Sequence, residues 1–226
     1  MPRALVVLSH PESGSFTAAW AQASVAALEA QGYDVLLSDL YRMGFDPARP
    51  EAPATEVERL LAADLLVLHF PLWWFAPPAV VKGWCDRVLE HGVVHSSRAR
   101  FDAGRMRGRK VLFCVSTGAT EVESGPSGKE GNVRMLLWPL ALTFRYCGYD
   151  VFEPVLVHGV HAHHPRPEQE RLEQRLRGVL ARQAEVFAGL PARPLIPFNP
   201  DPDFDAEGRL KPTAESVTPF IRHDAE

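Results

Sequence analysis

Three short stretches concentrate the chemistry in this 226-residue sequence. The first, Ser9-His10-Pro11-Glu12-Ser13-Gly14-Ser15-Phe16-Thr17, brings hydroxyls and an imidazole to what reads as the start of a helix. Free amides and the helix dipole at such a start stabilise an anion such as phosphate. The spacing matches neither GxGxxG nor the P-loop, so a dinucleotide-fold or NTPase reading is weak, and an ordinary capped turn is the alternative. The second stretch, Phe70-Pro71-Leu72-Trp73-Trp74-Phe75-Ala76-Pro77-Pro78, sets three aromatics between prolines. Adjacent rings cannot all face one core, so at least one is expected at the surface or in a cleft, as the wall of a planar heteroaromatic ligand or inside a dimer contact. In the third, Ser116-Thr117-Gly118-Ala119-Thr120, a glycine among hydroxyls lets backbone amides approach a ligand closely. Together the three suggest a site for phosphate at one end and a flat ring at the other.

Other reactive side chains carry weaker signals. His158, His161, His163 and His164 cluster without a common zinc spacing, so the expectation is no metal. Cys85, Cys114 and Cys147 lie in apolar stretches and read as inert core thiols. Ser9-His10 lacks the G-x-S-x-G elbow of a hydrolase.

The elements that must position these loops are legible as alternation. Five apolar, branched or aromatic runs read as buried strands: Ala4 to Ser9, Asp34 to Leu40, Leu65 to Phe70, Lys110 to Ser116, and Val151 to His158. Helices are expected from Phe16 to Gln31 with Ser15 as cap, after Thr55 where Thr55 and Glu58 form a capping-box pattern, from Ala79 to Glu90, from about Gly131 to Tyr146, and from Pro167 to Gly189. Strand–helix alternation with short connections predicts an α/β, doubly wound five-stranded parallel sheet of order 2-1-3-4-5. In such a sheet ligands bind beyond the carboxyl ends of the strands near the switch point, which is where all three stretches fall. Seven of the 20 prolines lie between Pro191 and Pro219, so residues 1–190 are expected to form one domain and residues 191–226 an extended arm. Its Phe198, Phe204, Leu210, Phe220 and Ile221 suggest that the arm wraps on the domain or on a partner subunit.

Composition excludes several classes. Lys plus Arg is 24 and Asp plus Glu 28, a formal charge of -4 with signs mixed along the chain, which argues against nucleic acid. Three cysteines without a CxxC fit a reduced, cytoplasmic compartment better than a disulfide framework. The N-terminal apolar run is too short to span a bilayer and lacks a signal-type cleavage pattern, so neither membrane insertion nor secretion is expected.

Ser9 to Thr17, the run FPLWWFAPPAVVKGWCDRVL from Phe70 to Leu89, the Ser116-Thr117-Gly118 loop, Leu137-Trp138-Pro139, and Cys147-Gly148-Tyr149 with Glu153-Pro154 resemble the two-electron NAD(P)H:quinone oxidoreductases, or diaphorases. The similarity runs in consistent order over roughly residues 3 to 190. It implies a flavodoxin-like homodimer that holds flavin non-covalently, FAD for a chain of this length with FMN possible, and passes hydride from NAD(P)H to a quinone or similar acceptor. On the resemblance His10, Ser15, Phe16 and Thr17 take the flavin phosphates; Pro71, Leu72, Trp74 and Phe75 flank the ring; Ser116, Thr117, Gly118 and Ala119 bind its polar edge. Trp74, Phe75, His95 and Tyr146 are the implied substrate contacts, and Trp84 or its helix neighbours the implied dimer contact. The chain departs from the animal enzymes at Ser124 and Glu130, where those have a Tyr and a His for proton relay, and at His95 and Ser97, where they have two Tyr. A flavodoxin-type electron carrier and a regulatory subunit of a potassium-efflux system are the rival readings.

Overall fold

The computed structural model describes residues 1–49, 51, 53–161 and 165–223. Strands β1 (Arg3–Leu8), β2 (Asp34–Asp39), β3 (Leu65–Pro71) and β4 (Lys110–Ser116) run parallel in the order β2-β1-β3-β4. Two short strands, β5 (Asp150–Val151) and β6 (Val155–Val157), both pair with β4 on its outer edge. The flavodoxin-like order 2-1-3-4-5 thus holds, with the last position divided. A single strand from Val151 to His158 does not form. Phe152 N still donates to Val111 O of β4, but Glu153 gives its N–H to Pro194 O at 2.9 Å and Pro154 has no N–H to donate, so the ladder to β4 lapses there.

Among the described residues six helices cover the sheet: α1 (Phe16–Ala30), α2 (Ala54–Ala62), α3 (Ala79–Val88), α4 (Val133–Cys147), α5 (Arg166–Ala181) and α6 (Gln183–Ala188). Alternate strand residues face two cores. Leu5, Val7, Leu66, Leu68, Val111 and Phe113 pack on α2, α3 and α4, whereas Ala4, Val6, Val67, Leu112 and Cys114 pack on α1 and α6. Both faces are thereby dry, which is why the strand sequences are continuous apolar runs.

Local signals held at some ends and failed at others. Ser15 caps α1, its Oγ accepting from Ala18 N at 3.2 Å. Thr55 and Glu58 form no capping box: α2 starts two residues earlier, at Ala54 after Pro53, which offers no side-chain cap. The charged segment from Pro167 to Gly189 is two helices, because the chain turns at Arg182. Helix α4 stops at Gly148, whose φ of 100° suits glycine, and an added Cβ there would meet Gly104 Cα at 2.8 Å.

Beyond Ala192 the described residues form a 3-10 turn, Asp201–Asp203, and isolated β-bridges such as Phe204 to Leu210, and lie across α4. Trp138 stacks on Phe220 at 4.5 Å and packs on Phe198 at 5.1 Å. Asn199 is buried and ties the segment to itself through Asp203 and the Glu215 carbonyl. Among the described residues no helix is long and apolar enough to cross a membrane.

Candidate functional site

Strands β1, β3 and β4 end together, and the chain reverses direction in the sheet between β1 and β3. Three contacts close the loops that follow them into one site. Thr17 Oγ1 lies 3.3 Å from Ser116 Oγ, joining the first loop to the third. Leu72 N donates to Ser116 O at 2.7 Å, joining the second to the third. The His10 ring meets Trp73 edge-on at 5.6 Å, joining the first to the second.

The first loop is arranged to receive an anion. Among the described residues the Phe16 and Thr17 N–H groups have no protein acceptor, as the geometry of a helix start requires. His10 Nδ1 accepts from Glu12 N at 3.1 Å, so the proton of the neutral ring sits on Nε2 and makes it a donor. Beneath the loop, Ser9 Oγ is fully buried with no partner among the described residues.

The second loop carries backbone strain. Trp73 and Ala76 exchange both backbone hydrogen bonds, at 3.0 and 3.1 Å, around Trp74 with φ 49° and Phe75 with φ 62°. Two successive positive φ values make a type I′ turn, which normally takes Asn or Gly. Each aromatic there costs about 1–3 kcal/mol, persisting because the turn is held at both ends. The strain turns the rings outward: Trp74 is 94% exposed and Phe75 50%. Two large apolar rings held in water at a strained turn are a surface prepared for a ligand.

The third loop is fastened from behind. Thr117 N donates to Val157 O and Val160 N to Thr117 O, while Thr117 Oγ1 reaches Ala119 O at 2.9 Å and His158 Nδ1 at 3.2 Å. That leaves Gly118 N–H and Ala119 N–H without a protein acceptor among the described residues, free for the polar edge of a ring. Burial lowers the His158 pKa, which keeps the imidazole neutral beside Thr117.

Two clefts flank Trp74. One, of about 430 Å³, is lined by Pro71, Leu72, Trp73, Ser116, Thr117, Gly118, Val160 and His161. The other, of about 260 Å³, is lined by Phe75, Ala119, Ser124, Glu130, Gly131, Val133 and Leu136, and shares Leu72, Thr117 and Gly118 with the first. Trp73, which is not among the ring-flanking residues the resemblance implies, thus lines the cleft and meets His10. Val133 and Leu136 were not legible as site residues; the helix-start signal of Asn132, whose side chain accepts from Arg134 N at 3.0 Å, was the available clue.

His95 and Tyr146 meet at 5.3 Å but line neither cleft. They belong, with Phe75, to a groove of about 880 Å³ between α3 and α4. Trp84 does not reach that groove. It is fully buried and donates Nε1–H to Glu56 at 3.0 Å, so its helix neighbours Lys82, Cys85 and Asp86 line the groove in its place. Burial pushes the Cys85 and Cys147 thiols up to about 12 and raises Cys114 further, so all three are poor nucleophiles. Among the described residues no group of His, Cys, Asp and Glu could hold a metal, and His163 and His164 lie outside them.

A family model described as a flavodoxin-like fold matches residues 2–182. NAD(P)H dehydrogenase (quinone) 1 of Cavia porcellus is 35% identical over 189 residues, covering 70% of this chain and 69% of that one. The chain belongs to the NAD(P)H:quinone oxidoreductase family. Human ribosyldihydronicotinamide dehydrogenase (quinone), in the same family, is 31% identical over 67% of this chain and 79% of its own. Among solved structures, general stress protein 14 of Treponema denticola in complex with FMN is 26% identical with a TM-score of 0.63, covering 80% of this chain and 98% of that one. A Klebsiella pneumoniae protein described as a candidate quinone reductase shares the fold over 100% of this chain and 97% of its own, with a TM-score of 0.76 at 23% identity. The fold of this quinone oxidoreductase family member therefore has a counterpart along its whole length, C-terminal segment included.

Proposed function

We propose that the protein is a flavin-dependent NAD(P)H dehydrogenase that delivers hydride to a quinone or similar two-electron acceptor, with FAD as its flavin. The closure of the three loops around the strained Trp74-Phe75 turn is the observation that supports this reading most directly. The residues present fit a flavin. Phe16 and Thr17 N–H, His10 and the Ser15 hydroxyl would take its phosphates at the positive end of α1. Pro71, Leu72, Trp74 and Phe75 would flank the ring and exclude water from it, while Gly118 and Ala119 N–H would bind its polar edge beside Ser116 and Thr117. When bound there, the flavin would supply the two-electron chemistry between NAD(P)H and the acceptor.

The Gly118 and Ala119 amides, on a loop fixed by the Val157–Val160 segment, would stabilise negative charge at that edge without reorganising, and so do the electrostatic work a Tyr and His pair would share. Ser124 and Glu130 line the same cleft. A carboxylate there has the wrong sign to stabilise an anion, which leaves the proton to solvent or to a histidine such as His161.

We further propose a cytoplasmic homodimer in which the α3–α4 groove, with His95 and Tyr146, is covered by a second copy. Its apolar lining and the 54% exposure of Met135 support this. An electron carrier would have no use for an exposed aromatic turn of this cost, and nothing on the surface favours a regulatory role. The test is to release the chromophore from purified protein, identify it by mass, and follow NAD(P)H oxidation with quinone. Yellow protein yielding FAD and steady turnover is expected; FMN would correct the cofactor alone. Colourless protein that binds neither added flavin would overturn the proposal.

A further inference from the structure

Beyond the site at the strand ends, the C-terminal segment closes a separate pocket of about 470 Å³ against α4 and the loop before β4. Its apolar walls are formed by Phe101, Leu142, Phe198, Phe204 and Ile221, with Ser97 and Asn199 as polar neighbours. Its charged lining is three arginines against one aspartate, Asp201. Arg98 and Arg100 line it, and among the described residues neither guanidinium has a carboxylate within ion-pair distance, although the chain carries more acidic than basic residues. Arg145 also lines the pocket, but its charge is already met by Asp102.

The pocket is built, not a gap between loops. Asp102 accepts from Arg145 and, at 2.6 Å, from the Asp201 amide, which clips the C-terminal segment to the loop. Burial alone would raise the Asp102 pKa; the hydrogen bonds from Arg145 and Asp201 outweigh it and hold the carboxyl below its usual range. Phe101 is, among the described residues, the third non-glycine residue with positive φ, at 49°, and its ring meets the Arg100 guanidinium at 5.8 Å and Tyr146 at 5.1 Å. The other two such residues form the aromatic turn of the main site. Strain of this kind persists where the surroundings fix it, and it gathers at ligand-binding positions.

We propose that this pocket binds a small aromatic carboxylate or sulfonate, its ring against Phe101, Phe198 and Phe204 and its anionic group between Arg98 and Arg100. The planar guanidinium fork matches a carboxylate in two-point contact, and the volume suits a ligand of two or three rings. Because Tyr146 touches Phe101 on one side and His95 on the other, an occupant would lie two rings from the α3–α4 groove.

Calorimetric titration of the full-length, flavin-loaded protein with 2-naphthoate and its neutral counterpart 2-naphthamide tests this. Naphthoate is expected to bind at least tenfold more tightly, and raised salt should weaken naphthoate alone. Arg98→Ala with Arg100→Ala should remove that preference, leaving naphthamide affinity within about twofold and the flavin content unchanged. The salt series needs no variant, so it stands even if the double substitution impairs folding. Equal affinity for the two probes, or a naphthoate preference that survives both substitutions, would overturn the assignment.

Discussion

Trp74 and Phe75 occupy the two positions of a turn that glycine would fill without strain, so their retention is an expense met by binding. Trp74→Gly should therefore raise stability by about 1 kcal/mol, or a few degrees in Tm, while lowering flavin affinity or turnover. Thermal melts of flavin-free protein beside flavin titration check both halves, and a substitution that lowers both would remove the turn from the site. Ser124 is a milder position. Its hydroxyl is short, and the Gly118 and Ala119 amides already face the shared cleft. Ser124→Ala is expected to slow flavin reduction by less than about tenfold, equivalent to about 1.4 kcal/mol, in stopped-flow mixing with NAD(P)H. A hundredfold loss would show that the serine carries the relay.

Strand β3 holds a polar residue where its neighbours are apolar. His69 is fully buried against Trp20 at 5.1 Å, neither ring nitrogen has a partner among the described residues, and burial lowers its pKa to about 3. The folded protein thus keeps His69 neutral where the unfolded chain, at its ordinary 6.5, takes a proton. Stability from this residue is intact above pH 6.5 and falls as the pH drops towards 3, by up to about 1.4 kcal/mol per pH unit. In urea unfolding, His69→Gln should lose about 2–3 kcal/mol less than the parent between pH 6.5 and 4.5. Matching slopes would mean that the acid limb comes from other groups. On the opposite face, Glu56 of α2 accepts from Ser38, Arg59 and Trp84, and so joins β2, α2 and α3. Glu56→Ala leaves the buried indole N–H without its acceptor and the Ser38 hydroxyl with only the Arg59 contact, and should cost about 3 kcal/mol in chemical denaturation, with flavin binding unchanged in the folded fraction.

At the scale of the molecule, the α3–α4 groove is an apolar concavity of about 880 Å³, and a second copy is its proposed occupant. Sedimentation at micromolar concentration should show a dimer. Met135→Glu, which puts a charge on the exposed rim, should shift the protein towards monomer without altering its flavin content. A monomer in the unaltered protein would leave His95 and Tyr146 far from any acceptor and remove them from the reading. His95 Nδ1 is buried without a partner among the described residues, so the groove still has hydrogen-bonding capacity to offer whatever covers it.

Continuous apolar strands alternating with helices could be read directly, because a sheet buried on both faces leaves no polar period to confuse the pattern, and strand order followed from crossover handedness. The Ser9–Thr17 loop was legible for a similar reason: helix capping is local, and Ser15 needs only Ala18 N three residues on. What depended on distant partners was not legible. Whether Trp84 faced a subunit interface or the core was decided by Glu56, 28 residues away, which gives its indole a buried acceptor. The lapse between β5 and β6 was decided by Pro194, some 40 residues on, whose carbonyl takes the Glu153 amide from the ladder. The resemblance leaves Trp73 out of the ring-flanking set, yet the fold sets it against His10, and Arg98 and Arg100 carry no motif of their own and gain a pocket only where the C-terminal segment closes a wall beside them. Periodicity and capping act over a few residues and are written in the chain. The partner of a buried N–H, the neighbour of an exposed ring and the walls of a pocket come from segments tens of residues apart, and only tertiary packing brings those together.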